Sequence, residues 1–255
     1  MTTSTQLIPY KERMTKLTGE INGKGGLLHK TSGYLPSGMD AGRFCRFMLV
    51  AVSRNPKLLE CDRNSLFRAS LQAASLGLEL DPGLGQAYLV PFSGIVQFVP
   101  GYKGLVDLAR RSTLVGAVAM GAVHEGDEFD WDEGTKQFIH HKKLLKEHGA
   151  FIAAWSSVEI KGADKQVVVL PKWRVDEIRS MSATGKDTNN KASAWFGHYD
   201  AMASKSAIKQ QKLIPQCTEF RKVASLDDQA EIGAPQDFDI PEDVTGEEVP
   251  PTEKK

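Results

Sequence analysis

The chain has 255 residues, with 32 basic and 32 acidic side chains and a formal net charge of zero. Hydrophobic residues make up 41% and charged residues 25%, which suits a soluble globular protein of one or two domains with a core of normal size. The longest uncharged run, residues 82–102, holds three prolines and four glycines and is no membrane helix, and three scattered cysteines without a CxxC pair make no disulfide framework or structural zinc site.

Residues 1–36 are rich in Gly, Ser, Thr and Lys, including the run Gly23-Lys24-Gly25-Gly26. They are expected to form a flexible arm with at most one short helix. Phe44, Phe47, Met48 and Ala51 have helical spacing within residues 41–53. Asp62 or Asn64 caps a second helix that runs to Leu76 and closes at Gly77. Residues 86–92 and 95–99 are β-rich and split by Ser93-Gly94, a hairpin signal. A helix of about three turns follows over residues 102–112. Strands are expected at 115–124, 138–141, 150–160 and 166–171, then a helix at 172–181. Residues 182–193 have almost no apolar content and read as a mobile loop. Residues 194–214 form a long helix that Pro215 stops, with Trp195, Tyr199, Met202 and Ile208 as its apolar stripe. The order reads as α+β, a mostly antiparallel sheet with packed helices. One domain is expected over residues 37–222, followed by an acidic, disordered tail at 223–255.

The zero net charge hides an asymmetry. Residues 223–255 carry ten acidic and two basic side chains, a net of −8, so the rest of the chain carries +8. Such a body attracts polyanions; the tail either competes with them or only keeps the protein soluble.

Catalytic chemistry finds little support. A phosphate-binding P-loop needs Gly-Lys-Ser/Thr after an earlier glycine, and neither Gly23-Lys24-Gly25 nor His29-Lys30-Thr31 supplies it. No ATP hydrolysis is expected. Adjacent His140 and His141 would point to opposite faces of a strand and could not share a metal. The enzymatic alternative is a magnesium-dependent nuclease, with Asp127 or Asp130 as the upstream carboxylate and Glu159 and Lys161 on one face of a strand. A solvated hairpin end explains the same residues.

The basic residues are more informative. Lys103 and Arg110 lie seven apart on one helix face, with Arg111 beside them and Tyr102 at the helix start. Lys205, Lys209 and Lys212 form a stripe at i, i+4 and i+7, with Trp195 and Tyr199 on the preceding turns. Cations neutralise phosphates without reading sequence, and aromatic faces stack on any base. The two aromatics fit a core stripe as well as a base platform.

Several segments occur in a specific order: LQAASLGLELDP (71–82), GLGQAYLVPF (83–92), FVPGYKGLVDLARRS (98–112), HEGDEFDW (124–131), WFGHYDAMASKSAIKQ (195–210) and KLIP (212–215). Together they resemble the RecT family of phage recombination proteins over roughly residues 40–217. The resemblance implies a single-strand annealing protein that needs neither ATP nor a cofactor, with magnesium at most a modulator of DNA binding. It implies a core similar to the β-β-β-α core of annealing proteins, with single-stranded DNA in a basic groove across neighbouring subunits. Self-association into rings or helical filaments, pairing of the bound strand into a duplex, a 5′→3′ exonuclease partner and the host single-strand-binding protein are expected, in the cytoplasm and away from membranes. A coat protein without annealing activity is the second non-enzymatic reading. The DNA contacts implied are Tyr102, Lys103, Arg110 and Arg111, then Trp195, Lys205, Lys209 and Lys212.

Overall fold

The computed structural model describes residues 9–135, 137–144, 149–211, 214, 217–242 and 244. These divide into two compact units, one comprising residues up to Val99 and from Asp237 onward, the other Pro100–Gln236. The single domain expected over residues 37–222 is thus replaced by two units.

The first unit begins with α1 (Tyr10–Asn22) and α2 (Leu27–Ser32), where the sequence suggests a flexible arm. Leu17, Ile21 and Leu27 are fully buried, so these helices are part of the core. Next come α3 (Ala41–Arg54), a short 3-10 turn (Pro56–Glu60) and α4 (Arg63–Ser75). The carboxylates of Asp40 and Asp62 accept the Arg43 and Ser65 N–H groups at 2.7 and 2.6 Å and cap α3 and α4. At the end of α4, Gly77 adopts φ +60°. Leu78 N–H then reaches Ala73 O and Gly77 N–H reaches Ala74 O, a paired closure that needs the left-handed residue. The hairpin of β1 (Ala87–Phe92) and β2 (Ile95–Pro100) turns through Ser93 and Gly94, both at positive φ. Its tip is tied to the start of α4 by Asp62 N–H to Gly94 O and Val96 N–H to Ser65 Oγ.

The second unit starts with α5 (Tyr102–Arg110) and is built on an antiparallel sheet of β3 (Val115–His124), β6 (Phe151–Ile160) and β7 (Gln166–Pro171), with β6 central. A hairpin of β4 (Glu128–Asp132) and β5 (Phe138–Lys142) is inserted between the first two strands. Then come α6 (Lys172–Met181), α7 (Ala194–Gly197), α8 (Tyr199–Lys209) and α9 (Thr218–Glu231). Setting the inserted hairpin aside, the order is β-β-β-α, and the mixture of small antiparallel sheets and packed helices is the α+β class expected. Alternation along β6 and β7 sends side chains to two cores. Ala154 and Leu170 pack with Val175, Trp195, Ala203 and Ala207; Ala153, Val167 and Val169 pack with Val123, Phe129 and Ile139.

Four expectations change. Strand β4 was not foreseen, because its residues Glu-Phe-Asp-Trp-Asp read as an acidic patch. The helix expected over 194–214 is two helices broken at His198 (φ −140°, ψ 46°), and the second ends at Lys209. Beyond Val223, α9 is ordered and buries Phe220, Val223, Leu226 and Ala230. Its acid-rich composition hid a helical apolar period. The segment 182–193 is held down rather than free. Ser182 Oγ accepts Gly185 N–H, Arg179 Nε donates to Gly185 O, and Asn190 Nδ2 donates to Thr184 O.

Gly185 lies against the Trp195 ring so closely that a Cβ there would stand 2.5 Å from Trp195 Cδ1. Trp195 is buried and cannot yield cheaply. Gly185→Ala should therefore destabilise the second unit by about 1–3 kcal/mol, read as a lower Tm. Gly197→Ala, with nothing within 4 Å of the new carbon, should leave Tm close to the parent value.

Candidate nucleic-acid interface

Helix α5 buries Gly104, Leu105, Leu108 and Ala109 and leaves Tyr102, Lys103 and Arg110 exposed. Lys103 and Arg110 make no ion pair among the described residues. They are separated by seven residues, about 10 Å along the axis, on one face. Arg111 follows the helix and pairs with Asp107 at 2.8 Å, both about 40% exposed. Asp107 also lies four residues after Lys103, but the structure gives it to Arg111. Tyr102 is 44% exposed. These four residues are one surface with cations two turns apart and a phenol at its start.

Helix α8 is different, and here three sequence-derived DNA contacts are corrected. The Lys205 ammonium lies 2.6 Å from Asp227 Oδ1. The Lys209 ammonium meets Asp227 at 2.8 Å, Asp228 at 2.7 Å and Glu231 at 3.1 Å. Their side chains are 9% and 5% exposed. Burial alone would lower the Lys209 pKa, but Asp227, Glu231 and Asp228 reverse this and hold it well above the usual lysine range. Burial likewise works against the Asp227 carboxylate, and the two lysines keep its pKa low. Trp195 is buried, with Nε1–H donating to Glu231 Oε1 at 3.0 Å and its ring 5.8 Å from that of Tyr199. Trp195, Lys205 and Lys209 are therefore interior groups that clamp α7 and α8 to α9. Lys212 lies outside the described residues.

Sequence reading also passed over the exposed aromatics. Phe196, the neighbour of Trp195, is exposed, and Trp173 on α6 is 68% exposed. Neither sits in a periodic pattern, so only burial distinguishes them from core residues.

The nuclease constellation does not assemble. The Asp127 side chain is 1% exposed. It accepts Leu144 N–H at 2.8 Å, His124 N–H at 3.0 Å and His141 Nε2–H at 3.0 Å. Trp155 Nε1–H donates to His141 Nδ1 at 2.9 Å, which leaves Nε2 as the protonated nitrogen facing Asp127. The two backbone donors, with His141, hold the Asp127 carboxyl far below the usual carboxylate range. His124, which binds that carboxylate, pairs with Phe151 at one end of the β3–β6 ladder, and Val115 pairs with Ile160 at the other. Glu159 is thus about 30 Å from Asp127 along the strands. Glu159 pairs with Lys165 at 3.3 Å, and Lys161 donates to Thr113 O at 2.9 Å. Asp130 accepts the neighbouring Trp131 N–H on exposed β4. Among the described residues no three His, Cys, Asp or Glu side chains are grouped to hold a metal, and no helix is long and apolar enough to cross a membrane.

A model of the RecT family matches residues 42–245. The chain is 32% identical to Protein RecT of Escherichia coli (strain K12) over 203 residues, 76% of this chain and 74% of that one. It is 28% identical to the uncharacterized protein YqaK of Bacillus subtilis (strain 168) over 173 residues, 68% of this chain and 58% of that one.

Two outcomes follow from the buried charges. Asp227→Ala leaves two ammonium groups without their shared carboxylate and should cost about 3–5 kcal/mol in urea unfolding. The lowered pKa of Asp127 stabilises the fold above about pH 4, and that contribution fades as pH falls and the carboxylate protonates. Asp127→Asn should therefore be clearly less stable than the parent at pH 7, with the gap narrowing as both are unfolded at pH 4 and below.

Proposed function

The chain belongs to the RecT family, and from that premise we propose that it binds single-stranded DNA and anneals complementary strands during homologous recombination. The observation that carries the site is the α5 face, where exposed Lys103 and Arg110 stand without ion pairs among the described residues, inside the family-matched segment. Tyr102 and Arg111 complete it, and exposed Phe196 takes the base-stacking role first assigned to Trp195.

The mechanism is binding without bond chemistry. Cations hold one strand by its phosphates, independent of sequence, so binding weakens steeply with salt. The base edges stay open to a second strand. Each correct step of pairing then adds about 1.4 kcal/mol, enough to commit the duplex after a few steps. Neither ATP nor catalytic side chains enter this scheme, and magnesium acts at most by modulating DNA binding. One α5 face spans few phosphates, so useful affinity comes from copies aligned in a ring or filament. A 5′→3′ exonuclease that exposes the strand and the host single-strand-binding protein that coats it are the proposed partners, in the cytoplasm.

The test uses two complementary oligonucleotides, one end-labelled, with magnesium and no ATP. Duplex formation is timed after the protein is stripped off, and strand length is checked on a denaturing gel. Faster pairing of full-length strands is expected. Intact strands without acceleration would leave only a coat protein. The double variant Lys103→Glu/Arg110→Glu should weaken DNA binding at least tenfold and flatten its salt slope by about 2, with Tm unchanged. Parental affinity in that variant would remove α5 from the interface.

A further inference from the structure

The C-terminal segment of the first unit is held by one face of α4. Asn64, Arg68 and Gln72 stand at i, i+4 and i+8 and bond almost entirely to its main chain. Gln72 Oε1 accepts Asp239 N–H at 3.1 Å, and Arg68 Nη2 donates to Ile240 O at 3.4 Å. Asn64 Nδ2 donates to Glu242 O while its Oδ1 accepts Val244 N–H at 3.0 Å, and Lys30 Nζ donates to Val244 O. The Arg68 guanidinium lies 5.5 Å from the centre of the Phe238 ring. Ile240 and Val244, four residues apart, are buried. The segment is bent, with no strand among its described residues, and is held by bonds to its main chain and by the two buried apolar side chains.

Charge matches the occupant to the groove. The segment 237–244 carries Asp237, Asp239, Glu242 and Asp243, and Glu247 and Glu248 follow. At its Val244 end lies a cavity of about 430 Å³ lined by Lys16, Lys24, Lys30 and Arg63, with Glu20 as the one carboxylate. Arg63 Nη1 is buried there without an acceptor among the described residues.

A short connector joins the segment to α9. Ala234 N–H bonds Gln229 O, and Gln236 Nε2 bonds Leu226 O, both on α9. Gly233 takes φ +74°, and Pro235 follows. From Asp237 onward the residues belong to the other unit.

We propose that the α4 groove is an assembly site that takes the 237–244 segment of a second copy. A neighbouring groove offers the same bonds, so exchange alters no contact. In a lone chain the tether presents the segment at an effective concentration of the order of millimolar, and the groove closes on its own segment. Copies packed along one DNA strand reach a similar local concentration, and exchange then links each copy to the next. The inference rests on the self-association in the reading above, but not on annealing.

Native Cys61 lines the same cavity as Val244 and supplies the groove thiol. A tagged full-length chain with native Cys61 is mixed with a chain carrying Cys61→Ser and Glu242→Cys, with and without a single-stranded oligonucleotide, and treated with a short bismaleimide. A cross-linked pair of the two chains is expected, absent from either chain alone and weakened when Asn64→Ala and Gln72→Ala in the tagged chain remove the groove's bonds to the segment. A chain with both Cys61 and Glu242→Cys reports closure within one copy. Closure there without any linked pair in the mixture would overturn the proposal, as would absence of both. DNA binding and annealing are measured on the same samples, so loss of annealing with linkage retained would overturn the functional reading alone.

Discussion

The second unit depends on an ammonium group that could not be buried alone. Lys209 sits in the interior with Asp227, Asp228 and Glu231 around it, and Asp227 also serves Lys205. Desolvating such charges costs several kcal/mol each unless every partner is in place. The arrangement is therefore intolerant of sliding. It fixes the register of α9 against α8. Through Glu231 it also fixes Trp195 and the segment after α6, because Glu231 Oε1 accepts the indole N–H and Glu231 O accepts Ala183 N–H at 2.7 Å.

The other face of the sheet uses a quieter device. Asp127, at the turn after β3, accepts the backbone N–H groups of His124 at the end of β3 and Leu144 just after β5, and is joined through His141 to Trp155 on β6. The carboxylate, imidazole and indole together lock the β4–β5 hairpin onto the central strand. Gly126, at φ +92°, permits the turn that brings Asp127 under those donors. An acidic motif that looks like metal chemistry in one dimension is structural in three.

The first device also shapes the electrostatic surface. Two lysines that count toward a basic body are neutralised within it, and on α5 itself the Asp107 carboxylate is taken up by Arg111 at 2.8 Å. What remains for a polyanion on α5 is small: two cations unpaired among the described residues, a partly paired arginine and a phenol. A surface this sparse is suited to binding that gains strength by repetition. On the proposed reading, repetition along the strand supplies what one subunit lacks, and the α4 groove gives that repetition a physical link.

Much of this was legible in the residues. The cap at Asp62, the Gly77 closure, the Ser93-Gly94 turn, the strands of the main sheet and the family resemblance are local or ordered signals. Each follows from backbone preference or side-chain period over a few residues. The sequence also placed Lys205 and Lys209 on one helix face, Trp195 and Phe196 side by side, and Asp127 in an acidic run. It could not say which of these faces meets water. The answer for Lys209 lies on α9, 18 residues further along, and for Asp127 on β5, 14 residues away. A charge becomes a surface ligand or a buried clamp according to what packs over it, and only the tertiary structure brings that partner near.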